Sequence, residues 1–258
     1  IGEKGLPIWT IVNYACHPTV LGADNLYVSS DYPGVVQRLM EEHFGEDSLC
    51  MFINGACGNQ STRFTRKSQD FDEVKRLGSL LFESLLKAYE NKTEIEDFTL
   101  GGVKEYFEFP RKQLPDKEEA VKHYQFMTDK LNKAKNNKNL SPEELRGIIT
   151  KHQGAGITLK LLEVLDEIDL RAPIQLLRLG NIVFVGVPVE LFNDYGFLIK
   201  EESKFPHTII AAYTNGVLGY IYTPESYEDG DYEAWSSPFD INAGVFLTES
   251  VMGLMEKL

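Results

Sequence analysis

The sequence predicts an α/β fold in which mixed β-sheets are flanked by helices and interrupted by an inserted helical hairpin. Three observations support this prediction. Apolar, β-branched segments recur along the chain and alternate with amphipathic helical patterns. Two strand segments are joined by Gly180-Asn181, which is typical of a tight hairpin and argues against a strictly parallel sheet. A Lys-, Glu- and Asn-rich helical stretch at 114–168 separates the early strands from the later ones.

Strands and helices alternate in the first part of the chain. The pattern predicts buried strands at 7–15 and 49–54, and an antiparallel strand at 98–110. Between them it predicts a helix at 31–44, opened by an aspartate cap, and a long amphipathic helix at 68–90.

The inserted segment carries a helix-start signal, because Ser141 is followed by Pro142 and two glutamates. We expect a helical hairpin or lid whose charged face is solvated, with a binding role as the alternative. Five elements are predicted after it, and the region 215–239, before the last of them, is predicted to be a long, aromatic loop punctuated by glycines. The first four are strands at 173–180, 181–188 and 207–214, and a helix from Glu190 to about Lys200. A closing helix is predicted over 241–258.

The composition is that of a globular protein. The chain of 258 residues is 43% hydrophobic and 25% charged, and we expect a single domain over 1–258 that contains the insert at 114–168. Its 26 basic and 39 acidic residues give a net charge of −13, which argues against a nucleic-acid partner. The longest apolar runs, such as 182–188, are far too short to span a membrane. The composition leaves the oligomeric state undetermined.

The three cysteines, Cys16, Cys50 and Cys57, are too few and too irregularly spaced for a disulfide framework or a cysteine zinc site. We therefore expect buried thiols. The acidic charge and the unpaired cysteines favour a cytoplasmic bacterial protein. The sequence starts at Ile1 without a signal peptide, so we expect the C-terminal portion of a longer chain, and a secreted precursor remains the alternative.

His17 follows the first predicted strand directly. Pro18 lacks an N–H group and restricts its predecessor to an extended conformation, so the imidazole is held at the strand end. Such a histidine suits a metal ligand or a catalytic base, and it also suits a residue that only caps a turn.

Three further loops at strand ends carry candidate functional residues. Residues 54–66 contain Asn59 and Ser61 between permissive glycines, in a pattern that is neither a Walker loop nor a Gly-x-Ser-x-Gly elbow. Glu190 follows a very apolar strand, where a buried carboxylate needs either a helix end or a metal ion as its partner. Tyr220 and Tyr232 lie in the aromatic loop and could equally serve as packing residues.

Several segments occur together in an order that resembles a known family. They are NYACHPTVLG with VSSDYPG, then FINGACGNQS, VGVPVELF and TNGVLGYIYTPESYEDGDYE. In this order they resemble the catalytic domain of neutral ceramidases, and more closely the shorter bacterial members of the neutral/alkaline ceramidase-like family. The resemblance covers nearly the whole chain except the insert at 114–168.

The resemblance implies a single zinc ion bound by His17, Glu190 and Tyr220. In the family a further histidine, from an upstream Thr-His-x-His segment, completes the ligand set, and the present sequence contains no such motif. Catalytic zinc sites take three or four protein ligands and keep one position open for water. This chain supplies three of the ligands, and we expect the fourth from a histidine upstream of it, without which zinc would bind weakly or not at all.

The resemblance also implies roles for residues around the metal. Ser61 would be catalytic, either as a nucleophile or as a hydrogen-bond donor to water or to the tetrahedral intermediate. Tyr232 would stabilise the oxyanion, and Asn59 matches a substrate-binding position two residues before the serine. Arg63 departs from the family, which usually continues with Pro-Asn at this point.

We therefore expect a zinc-dependent hydrolase that cleaves an N-acyl amide, ceramide-like or related, by metal-activated water. One alternative is a zinc hydrolase that acts on another ester, amide or sugar-linked bond. Another is a non-catalytic binding domain with a degenerate metal site. The expected partner is a small or lipid-like amide substrate.

Overall fold

A computed structural model describes residues 5–45, 47–137 and 139–258, and it confirms the mixed α/β fold with an inserted helical hairpin. The strands are β1 (Trp9–Tyr14), β2 (Leu49–Asn54), β3 (Leu100–Glu108), β4 (Arg171–Leu179), β5 (Ile182–Gly186), β6 (Glu190–Leu191), β7 (His207–Ala211) and β8 (Tyr220–Ile221). The helices are α1 (Asp31–Phe44), α2 (Phe71–Glu90), α3 (Lys117–Lys135), α4 (Pro142–Val164), α5 (Asn193–Glu202), α6 (Pro224–Asp229), α7 (Tyr232–Ser236) and α8 (Ala243–Met255).

The first two strands pair in parallel and are covered by helices on one face. β1 and β2 are in register, with Val12 beside Phe52. Val12 and Cys50 point toward α1 and α2, where they pack with Val36 and Met40. The other face of this sheet carries apolar side chains that remain exposed, Ile11 at 49% and Met51 at 45%.

The second sheet has four strands in the order β3-β4-β5-β7. β3, β4 and β5 are antiparallel neighbours, whereas β5 and β7 run parallel. Gly180 turns the β4–β5 hairpin with a φ of +55°, a conformation that glycine adopts without strain. Ile174, Leu176, Val183 and Val185 are fully buried against α5 and α8 and form the main core.

The two sheets meet at the ends of β2 and β7. The Ala212 amide donates to the Asn54 carbonyl at 3.1 Å, and the Asn13 side chain donates to the Ile210 carbonyl at 2.9 Å. The loops that follow β1, β2, β5 and β7 therefore converge on one region of the molecule.

The insert is an antiparallel pair of helices, α3 and α4, between β3 and β4. The predicted start of α4 is confirmed: the Ser141 hydroxyl accepts from the Glu144 amide and the Glu144 carboxylate accepts from the Ser141 amide, a capping box. α4 packs on α7 so closely that a Cβ on Gly154 would lie 2.5 Å from Trp235 Cγ.

Three local predictions were wrong. Asp31 does not cap α1 from outside; it is the first helical residue, and its carboxylate instead accepts from the Val20 and Leu21 amides. Glu190 does not begin a helix, because it lies in β6 and α5 starts three residues later. The region 215–239 is not a continuous loop, since it contains β8, α6 and α7.

The predicted thiols are largely confirmed, because Cys50 and Cys57 are buried, Cys16 is half-buried and all three are unbridged. Across the described ranges, no helix combines the length and apolar character needed to cross a membrane.

Candidate active site

His17 is held against the loop that follows β2. Its amide donates to the Gln60 carbonyl at 2.9 Å, and His17 and Ser61 form an isolated parallel β-bridge. The extended conformation that Pro18 imposes suits this pairing. Two residues 44 positions apart in the numbering are thus fixed side by side by backbone contacts.

Glu190 is fixed by strand pairing. In β6 it lies directly beside Tyr220 of β8 in parallel register. The loop after β2 reaches the same strand, since the Gly58 amide donates to the Leu191 carbonyl at 2.7 Å. A Cβ on Gly58 would lie 2.6 Å from the Glu190 carbonyl oxygen, so this approach requires glycine.

The imidazole and the carboxylate face each other. His17 Nε2 lies 3.6 Å from Glu190 Oε2, and the two side chains are only 18% and 19% exposed. Two ligands of one tetrahedral zinc ion are separated by roughly 3.4 Å. The observed separation therefore fits a shared metal ion.

Tyr213 completes this arrangement, and sequence analysis missed it. Its hydroxyl donates to Glu190 Oε2 at 3.3 Å and lies 3.2 Å from His17 Nδ1. Burial raises the pKa of Tyr213, so the phenol stays protonated and can donate at neutral pH. Imidazole ligands commonly have such a partner on the nitrogen that faces away from the metal.

Cys57 is the second residue that sequence analysis did not assign to the site. Its Sγ lies 3.7 Å from His17 Nδ1 and 3.4 Å from the Tyr213 hydroxyl. Burial raises the pKa of this thiol to about 11, so it stays neutral. The sequence did contain indications for both residues. Tyr213 lies at the end of a predicted buried strand, and Cys57 lies within the glycine-rich loop that carries Asn59 and Ser61.

Tyr220 and Tyr232 line the same region. The Tyr220 ring is 6.4 Å from the His17 ring and 6.3 Å from the Tyr232 ring, both in edge-to-face geometry. Burial, and then the negative charge of the neighbouring Glu190 carboxylate, raise the pKa of Tyr220. Tyr232 is 42% exposed and is more accessible to a ligand.

Ser61 and Asn59 border a cavity of about 390 Å³, together with His17, Tyr220 and Tyr232. The Ser61 hydroxyl accepts weakly from the Arg63 amide at 3.4 Å. The Asn59 side chain is engaged at the start of α5, where it donates to Asn193 at 2.7 Å and accepts from its amide at 2.9 Å. Asn59 thus anchors α5, and a substrate-binding role for it stays a prediction.

The cavity wall also carries charged side chains. Arg63, Arg66 and Glu233 line it, and burial raises the pKa of the Glu233 carboxyl. Burial, followed by the neighbouring guanidinium of Arg146, lowers the pKa of Arg63.

An apolar groove of about 460 Å³ lies beside the cavity. It is lined by Tyr14, Cys16, Tyr32, Thr62, Thr65, Arg76, Leu77, Leu80, Leu81 and Ser84. Cys16 and Thr62 are the chain neighbours of His17 and Ser61, so one strip of backbone separates the groove from the cavity.

The donor set agrees only in part with a zinc site. In residues 5–45, 47–137 and 139–258 no three His, Cys, Asp or Glu side chains cluster to hold a metal ion. His17 and Glu190 offer two potential metal ligands. A third ligand from this chain would have to be a phenol such as that of Tyr220. The remaining histidines contact other groups, for example His123, which stacks on Trp235, and His152, which lies 3.1 Å from Thr128 Oγ1.

The fold matches solved ceramidase structures. The neutral ceramidase from Pseudomonas aeruginosa has a TM-score of 0.69 at 18% identity, over 100% of this chain and 46% of that chain. A structure described as ceramidase complexed with C2 has a TM-score of 0.70 at 17% identity, over 100% and 47%. The chain thus spans about half the length of the structures it matches. No protein-family model and no curated protein matches the sequence.

Proposed function

We propose that the chain contributes the active site of a hydrolase that cleaves an N-acyl amide, with one zinc ion bound by His17, Glu190 and Tyr220. The observation that carries this proposal is the 3.6 Å approach of His17 Nε2 to Glu190 Oε2 beside Ser61 and a polar cavity. The match in fold supports the class of reaction, because the two solved structures named above are described as ceramidases.

The overall reaction adds water across the amide. A carbon–oxygen bond forms at the carbonyl carbon, the carbon–nitrogen bond breaks, and the nitrogen takes a proton, so that a carboxylic acid and an amine leave. A zinc ion at this site would polarise the carbonyl oxygen and make a water molecule acidic enough to ionise near neutral pH.

The protein residues position and stabilise the reacting groups. Tyr213 donates to Glu190 Oε2 and contacts His17 Nδ1, so it fixes the orientation of both side chains. The Tyr232 hydroxyl, at the accessible side of the cavity, would donate to the oxyanion. Ser61 would donate a hydrogen bond to the water or the intermediate, because within the described ranges its hydroxyl forms no hydrogen bond with a histidine or carboxylate that could activate it as a nucleophile.

The apolar groove supports an acyl substrate. Leu77, Leu80 and Leu81 present aliphatic surface next to the cavity, and Leu80 is 47% exposed. An acyl chain placed there would bury its methylene groups at about 0.8 kcal/mol each.

Metal content and turnover test the proposal together. We expect the protein to bind zinc, to hydrolyse a fluorogenic acyl amide and to lose this activity with a chelator. Glu190→Gln should lower zinc occupancy in elemental analysis, whereas Ser61→Ala should keep the zinc and lose turnover.

Four results would contradict the proposal. Unchanged zinc in Glu190→Gln would remove that ligand, and full activity in Ser61→Ala would remove the serine. Chelator-sensitive cleavage of esters without cleavage of amides would favour hydrolysis of a different bond, and absence of zinc and turnover would indicate a binding domain.

A further inference from the structure

Two cationic side chains line the cavity of this acidic protein. Arg63 and Arg66 line it next to His17 and Ser61, although the chain carries a net charge of −13. Arg66 is held in place, because its Nη1 donates to the Thr19 carbonyl. The only carboxylate among the residues that line the described part of this cavity is Glu233.

The Arg63 guanidinium has no close ion-pair partner among the described residues, although the Glu233 carboxylate is near enough to act against the lowering of its pKa. Within the described ranges its side chain forms no ion pair within 4 Å and no hydrogen bond. Arg146 extends from α4 of the insert close enough to lower the pKa of Arg63, after the larger effect of burial. The Glu233 carboxylate opposes this repulsion between guanidinium groups with a smaller effect, and an anion bound beside the guanidinium groups would offset the remainder.

We propose that the cavity selects a substrate whose amine part carries an anionic group, such as a carboxylate, sulfonate or phosphate, bound by Arg63 with Arg66 beside it. This inference rests on the proposed function, since it names the substrate class of the same site. The planar guanidinium of Arg63 suits such a group because its N–H groups can form two parallel, charge-assisted hydrogen bonds.

Ligand binding tests this without relying on turnover. N-decanoylglycine, N-decanoyltaurine and N-decanoyl-O-phosphoethanolamine carry three different anionic groups, and N-decanoylethanolamine is the neutral probe with the same acyl chain. Their affinities are measured calorimetrically with the wild-type chain and with Glu190→Gln, in which cleavage is blocked. We expect at least one anionic probe to bind about tenfold more tightly than the neutral one, with a preference that shrinks as salt is added.

The Arg63 variants locate the effect. Arg63→Gln should abolish most of the preference, and Arg63→Lys should keep part of it because the charge remains. Arg38→Gln is the matched control, since Arg38 is an exposed arginine on α1 that does not line the cavity, and it should keep the full preference. Both Arg63 variants should fold, because within the described ranges the Arg63 side chain makes no hydrogen bond or ion pair that they would remove.

Several outcomes would overturn the inference. They are equal affinity for all probes, no binding of any probe, or an unchanged preference in Arg63→Gln. Amide cleavage measured in parallel separates the two proposals. An anionic preference without cleavage would contradict the hydrolase and keep the anion site, whereas cleavage of neutral and anionic amides with equal affinity would keep the hydrolase and refute the anion site.

Discussion

At the candidate site, the backbone conformation of a single residue, Tyr213, determines where its hydroxyl group lies. Tyr213 adopts a φ of +60°, which is unusual for a residue with a Cβ. This conformation directs its hydroxyl to both His17 and Glu190. Strained backbone of this kind costs about 1–3 kcal/mol and persists where the surrounding contacts compensate for it.

Replacing Tyr213 by phenylalanine tests the contribution of its hydroxyl. The change leaves the Glu190 oxygen without its donor, so we expect the free energy of unfolding of the metal-free protein to fall by about 1–2 kcal/mol. Urea denaturation measures this. Tyr227→Phe is the control, because Tyr227 is 46% exposed, and it should have no effect. Equal stability of Tyr213→Phe and wild type would show that the hydrogen bond contributes nothing.

Between elements, Lys112 connects the start of the insert to the wall of the cavity. It is 8% exposed, and its Nζ donates to the carbonyls of Ala234 at 2.7 Å and Trp235 at 3.4 Å. These carbonyls belong to α7, whose first residues are Tyr232 and Glu233. The contact thus ties the position of the two cavity residues to the strand–insert junction.

The buried lysine makes stability depend on pH. Burial lowers the pKa of Lys112 from its ordinary value of 10.5 to about 8. Between these values the unfolded chain binds more protons than the folded one, so stability rises with pH across this window. Below pH 8 the lysine is charged in the folded protein as well, and its buried charge then lowers the free energy of unfolding by the full amount, about 3 kcal/mol.

Lys112→Met isolates this effect. We expect the difference in unfolding free energy between the variant and wild type to change by about 3 kcal/mol between pH 8 and 10.5, since other titrating groups cancel in the difference. Urea titrations across this range measure it. A difference that is flat with pH would mean that Lys112 stays charged in the folded protein.

The close packing of α4 on α7 can be tested by adding a methyl group to α4. A methyl group at Gly154 would lie 2.5 Å from Trp235 Cγ, near the root of a bulky side chain. We expect Gly154→Ala to cost about 1–3 kcal/mol through overpacking. Gly147 lies in the same helix with nothing within 4 Å of its Cβ position, so Gly147→Ala should stabilise by up to about 1 kcal/mol. Thermal unfolding compares the two, and a stabilising Gly154→Ala would contradict the close packing.

On the scale of the whole molecule, the exposed face of the β1–β2 sheet stands out. Trp9 pairs with Leu49 and Ile11 with Met51 in register, and all four side chains are between 45% and 60% exposed. Contiguous apolar surface of this kind favours association between molecules.

Two neighbouring residues of β1 lie on opposite faces of this sheet. Ile11 is 49% exposed and Val12 is 3% exposed. We expect Ile11→Thr to reduce self-association, seen by light scattering, and to change the unfolding free energy by less than about 0.5 kcal/mol. Val12→Thr should cost about 1–3 kcal/mol because it buries a hydroxyl without a partner. Equal effects of the two changes would contradict the one-sided burial of the sheet.

The sequence by itself determined the elements whose signals are local. Helix 31–44 and strand 49–54 coincide with α1 and β2, and the Gly180 turn and the Ser141 capping box formed where their residue types indicated. Periodicity, capping and turn chemistry depend on residues a few positions apart, so they can be recognised in one sequence.

Only the tertiary structure decided which side chains meet at the site. Tyr213 and His17 are 196 positions apart, and Glu190 lies in a strand rather than a helix because it pairs with Tyr220. No local pattern encodes such contacts, since strand pairing and loop convergence depend on the burial of the whole core. The roles of His17, Glu190, Tyr220, Ser61, Tyr232 and Asn59 therefore remain predictions, whereas their relative positions follow from the way the two sheets join.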